Sequence, residues 1–95
     1  MRIIDLSASW CGPCKVFANT FAKVKEKYSD SDIDFLSYDV EEDDEGVELS
    51  EKYGVRGVPT VLVLNADGKE LGRVSGNVPQ ATLEDTIKNS LKKVM

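Results

Sequence analysis

The sequence predicts an α/β fold in which four strands and three helices follow one another as βαβαββα, on a mixed four-stranded sheet. Three observations lead there. An apolar N-terminal run, a stretch of helical periodicity and a second apolar run have the order of a strand, a helix and a parallel return strand. Thr60–Leu64 (TVLVL) is apolar on both faces, as a strand covered on both sides must be. Asp67-Gly68 between two apolar runs marks a hairpin, so antiparallel strands must join the parallel pair.

Each element has its own warrant. Arg2–Ala8 carries Ile3, Ile4 and Leu6 around Asp5 and reads as a short buried strand. From Pro13 onward Phe17, Thr20, Phe21, Val24 and Tyr28 fall on one helical face, with Lys15, Lys23, Lys25 and Lys27 on the polar side. Ser29-Asp30-Ser31-Asp32 ends that helix, and Ile33–Val40 forms the second strand. The acidic run Glu41–Glu45 precedes a short helix over Val47–Tyr53 that Gly54 closes. With no glycine-interrupted EF-hand spacing, the run reads as a solvated loop whose charges suit the N-terminus of the next helix. After Thr60–Leu64 the turn Asn65–Gly68 leads into an antiparallel strand, Lys69–Ser75. A last helix starts near Pro79 and buries Leu83, Ile87, Leu91 and Val94.

A chain of 95 residues holds one core, so residues 1–95 are expected to form a single domain. No apolar run approaches the ~20 residues of a membrane span, and the N-terminus lacks a signal-peptide core, so a cytoplasmic protein is expected. A net charge of −5 argues against nucleic acid and anionic membranes as partners, because both demand a basic face. The absence of histidine removes Ser-His and Cys-His catalysis and most zinc sites.

Chemistry therefore converges on Trp10-Cys11-Gly12-Pro13-Cys14-Lys15, which holds the single tryptophan and both cysteines. Zinc usually takes four ligands and this pair supplies two, which leaves open only a metal bridged between two chains. A structural disulfide across two intervening residues would constrain the unfolded chain little and would be unusual in a reducing compartment. A redox couple fits better. Cys11 falls at a helix N-terminus, where unpaired N–H groups and the dipole favour the thiolate that attacks disulfides. Cys14 lies three positions on, on the same helical face, and can attack a mixed disulfide at Cys11. Pro13, in the first turn, lacks only an N–H that would have had no partner.

The segment WCGPCK resembles the active site of the thioredoxin family, and Tyr53-Gly-Val-Arg-Gly-Val-Pro-Thr60 resembles the family's cis-proline segment. By that resemblance the chain is a thioredoxin-like protein-disulfide reductase with a redox-active disulfide, Cys11–Cys14, and no bound cofactor or metal. The resemblance assigns Cys11 and Cys14 as catalytic, with Asp5, at the family's buried-aspartate spacing, moving the Cys14 proton. It assigns substrate binding to Trp10, Gly12, Pro13, Val58, Pro59 and Gly76. Protein disulfides are the implied substrates, and a flavoprotein reductase using NADPH the implied electron donor. A disulfide isomerase or oxidant, or a binding subunit of a larger assembly, is the alternative.

The chain also departs from the family pattern. Family members usually carry a further strand and helix ahead of the stretch that begins here at Arg2, so for a chain of this extent the resemblance implies a trimmed thioredoxin-like core with Ile33–Val40 at an edge, whether those elements are truncated or naturally absent. A monomer is expected, with edge pairing through 33–40 open. Ser7 stands where an aromatic is common, Ser37 where a lysine pairs with the buried aspartate, and Asn19 where a proline kinks the long helix.

Overall fold

Side-chain alternation along the strands sets the layers. The computed structural model describes residues 1–94. In β1 (Arg2–Ser7) Ile3 faces one layer while Ile4 and Leu6 face the other. β1 pairs in parallel with β2 (Asp34–Asp39) and antiparallel with β3 (Thr60–Leu64), and β4 (Glu70–Ser75) completes the order β2-β1-β3-β4. This is the mixed four-stranded sheet expected, with βαβαββα order.

Helix α1 (Gly12–Lys27) and helix α3 (Gln80–Lys93) cover one face, where Phe17, Phe21 and Val24 meet Ile3, Phe35, Val61, Val63, Leu83 and Ile87. Helix α2 (Asp44–Lys52) covers the other, over Ile4, Leu6, Leu62 and Leu64. β3 is buried along its whole length, as a strand between two helical layers must be. The β3–β4 turn is built by Asn65, whose Oδ1 accepts from the backbone N–H groups of Asp67 and Lys69 at 2.9 Å each.

Three expectations are corrected. The second helix starts at Asp44 rather than Val47, because Asp44 and Glu45 favour a first helical turn, where their charges meet the dipole. Part of the acidic run is thus helix, not loop. The last helix begins at Pro79, its N-cap, as read, but Val94 caps its end half-exposed instead of joining the core. The strands are shorter than read, since Ala8, Ile33, Val40 and Lys69 lie outside the ladders.

β2 is an edge, yet most of it is already engaged. Its even residues turn their peptide groups to β1, as the bonds from Asp34 N–H to Met1 and from Val40 N–H to Ser7 require. Of the odd ones, Ile33 N–H reaches Ser31 Oγ at 3.3 Å and Asp39 N–H reaches the Asp43 carboxylate at 2.7 Å. Among the described residues that leaves the outward N–H groups of Phe35 and Ser37 unpaired, a strip of two donors.

Gly46 marks the closest approach of α2 to the sheet, since a Cβ there would collide with the Asp39 carbonyl and press on Tyr38. The obstacle is backbone, which cannot swing aside. Gly46→Ala is expected to cost about 2–3 kcal/mol in a urea titration. A loss under about 0.5 kcal/mol would show that α2 rides freely on the sheet.

Candidate active site

The site is assembled where β1 hands the chain to α1. Cys11 is the N-cap of α1, its backbone N–H bonded to Ala8 O at 3.1 Å. Its Sγ accepts the Cys14 N–H at 3.1 Å, so a first-turn amide that lacks a helical partner points at this sulfur. That is the geometry that stabilises negative charge on Cys11. Gly12 and Pro13 form the exposed first turn between the cysteines. Cys11 and Cys14 form a disulfide with Cα atoms 5.2 Å apart, and both are buried in a small cluster with Ala8, against Val40 and Val58.

The opposite wall is the α2–β3 connection. The Val58–Pro59 peptide bond is cis, and Cys11 Sγ lies 3.8 Å from the Val58 carbonyl oxygen. Several bonds hold this loop. Val55 N–H reaches Ser50 O at 2.8 Å, Thr60 Oγ1 donates to Gly57 O at 2.7 Å, and Arg73 clasps Tyr53 O while paired with Glu70. Gly76 N–H donates to Pro59 O at 2.8 Å, and φ of +90° there is natural only to glycine. Of the residues the resemblance assigned to substrate binding, Val58 packs against Cys11, and Pro59 and Gly76 are bonded to each other on the same side of the loop.

Trp10 is 68% exposed, its Nε1 donating to Glu41 Oε1 at 2.7 Å. A groove of about 160 Å³ runs from Trp10 past Val55 and Arg56 to Val58, and a second continues over Pro59 to Gly76. Two residues around Trp10 and the grooves were missed in the sequence. Glu41 is one of five consecutive acids with nothing local to single it out, and Arg56 lines both grooves.

Asp5 lies behind the disulfide, 4% exposed, and burial alone pushes its carboxyl up to about 6. Its Oδ1 finds no hydrogen-bond donor, and the β1–β2 register sets Ser37 beside it. Asp5, Ser37 and Cys14 line one cavity of about 280 Å³.

A disulfide-forming cysteine pair that opens a helix, set against a cis-proline peptide on a four-stranded mixed sheet, defines a thiol–disulfide oxidoreductase. A family model described as Thioredoxin matches residues 1–89. A thioredoxin of Borreliella burgdorferi is 39% identical over 90 residues, covering 95% of this chain and 69% of that one. A thioredoxin of Griffithsia pacifica is 33% identical over 95% of this chain and 78% of its own length. The crystal structure of a thioredoxin from Nicotiana alata superposes with a TM-score of 0.77 at 36% identity, over 94% of this chain and 71% of that one. The chain belongs to the thioredoxin family and is a thioredoxin-type disulfide reductase. No helix among the described residues is long and apolar enough to cross a membrane.

Proposed function

We propose that this chain works as a single domain in the cytoplasm, as a monomer that passes electrons to protein disulfides. The Cys11 thiolate attacks one sulfur of the substrate disulfide, forming a mixed disulfide and releasing the first substrate thiolate. Cys14, losing its proton to Asp5, then attacks Cys11 Sγ. The Cys11–Cys14 bond forms, the second substrate thiolate leaves, and two electrons have moved to the substrate. Trp10, Gly12, Pro13, Val58, Pro59 and Gly76 hold the substrate strand, whose peptide edge meets the Val58 backbone. A flavoprotein drawing on NADPH restores the dithiol.

The observation that carries this reading is the Cys14 N–H aimed at Cys11 Sγ beside the Val58 carbonyl. The test is the reduction potential of the pair, by equilibration against dithiothreitol or glutathione buffers. A value near about −270 mV, where thioredoxin lies, is expected. A value near about −180 mV would overturn the reductant direction in favour of an isomerase or oxidant.

A further inference from the structure

The chain carries 17 acidic and 12 basic side chains, so its mean field repels an acidic partner. The docking face runs against that mean. Neither groove beside the disulfide has an Asp or Glu in its lining, and Arg56 and Arg73 are its cations. The carboxylates bonded to groove residues are already engaged, Glu41 with the Trp10 indole and Glu70 with Arg73. Arg73 is therefore compensated. Arg56 is exposed, and among the described residues it enters no ion pair. Its position gives that charge a use. Arg56, Gly57 and Val58 are the residues common to both grooves, so Arg56 stands on the ridge between them. Val58 O lies 3.8 Å from Cys11 Sγ, and Gly57 has no side chain, so Arg56 is the next side chain after Val58 on the N-terminal side of this edge. Its backbone is fixed on both sides, Val55 N–H on Ser50 O at 2.8 Å and Gly57 O on Thr60 Oγ1 at 2.7 Å. A cation on a fixed loop meets its partner without the cost of ordering that loop. Docking also excludes water, which strengthens a guanidinium–carboxylate pair.

We propose that Arg56 is a specificity-determining residue, which selects protein disulfides bearing an Asp or Glu within two positions of the attacked cysteine. This rests on the reductase reading above and names its substrate class. Residues two apart on an extended chain are separated by about 7 Å, and Arg56 and Val58 are themselves two apart. A substrate strand whose cysteine lies at the Val58 edge therefore brings a residue two positions away opposite Arg56. An acid there pairs with the guanidinium, whereas a Lys or Arg meets a like charge and is turned away.

The experiment mixes reduced protein with short cysteine peptides carried as mixed disulfides with 2-thiopyridine, a neutral chromophore. The Cys11 thiolate attacks the peptide sulfur, the Cys11–peptide bond forms, and 2-thiopyridone leaves with the electron pair of the broken S–S bond. The peptides differ only in a Glu, Gln or Lys at one of the two positions on either side of the cysteine. At about 0.15 M salt, where distant charges are screened, the best-placed Glu should react about fivefold faster than Lys, with Gln between them. The net charge of the chain alone would give the opposite order. Near 1 M salt the ratio should fall toward one. Arg56→Gln should bring the Glu-to-Lys ratio to one or below, and Arg56→Glu should invert it. Lys23→Gln removes the same charge from the polar face of α1 and should keep the preference. Emission of Trp10, the one tryptophan, reports that each variant is folded. A ratio near one at every position, a preference that survives Arg56→Gln, or one that Lys23→Gln also abolishes would overturn the role of Arg56 and leave the reductase reading standing. Release of no 2-thiopyridone from any peptide would remove the reductase reading itself, and the selection falls with it.

Discussion

Cys14→Ser should stop the reaction halfway. Cys11 keeps its place as N-cap of α1, with the same amide aimed at its sulfur, so attack on a substrate disulfide proceeds. The hydroxyl at position 14 cannot close the second disulfide, and the substrate stays bound through Cys11. The protein should collect as a stoichiometric adduct, visible by mass and released by dithiothreitol, with turnover of insulin gone. Cys11→Ser should do the opposite. A serine hydroxyl, unlike a thiol, is almost wholly protonated at neutral pH, so no adduct forms and reduction falls by at least about a thousandfold. The contrast assigns the order of attack. An adduct on Cys11→Ser, or full turnover by Cys14→Ser, would reverse the roles or remove the dithiol from the mechanism. A chain that served only as a binding subunit would keep its biological activity in both variants.

Local patterns reveal much of this molecule. Phe17, Phe21 and Val24 at helical spacing, the Asn65–Gly68 turn and the two-faced TVLVL strand each carry their structure within a few residues, and each appears as read. Asp44 and Val94 show where local reading fails. A run of acids looks like loop until helix-dipole stabilisation outweighs its self-repulsion, and an apolar residue at the right period stays out of the core once the helix outruns the sheet. The site divides the same way. Cys11 and Cys14 are legible because their chemistry depends on one helix end. The Trp10–Glu41 bond spans 31 positions, and nothing near Glu41 announces it. The cavity lined by Asp5, Ser37 and Cys14 had no local sequence signal. Its shape exists only once β1, β2 and α1 are set side by side.

Asp5 should also make the protein less stable at neutral pH than in mild acid. Its carboxyl titrates at about 6 in the folded chain against 3.8 when freely solvated, because burial disfavours the charged form. Between those values the folded state holds a proton that the unfolded state has lost, so this group's contribution falls as pH rises. The contribution is at its most favourable below about pH 4, declines through the interval and is fully lost above about pH 7. A shift of about two units corresponds to about 3 kcal/mol, an order-of-magnitude figure that hydration through the cavity mouth would reduce. Asp5→Asn removes the charge and keeps the shape. Chemical denaturation of the oxidised protein should therefore find Asp5→Asn more stable by about 2–3 kcal/mol at pH 7.5 and nearly equal to the unsubstituted chain at pH 4. Equal stability at both pH values would mean that the carboxylate is solvated as well inside the fold as outside it. A buried acid that costs stability at working pH is what the proton transfer proposed above for Asp5 and Cys14 would require. The same substitution that stabilises the fold should therefore slow the release of substrate.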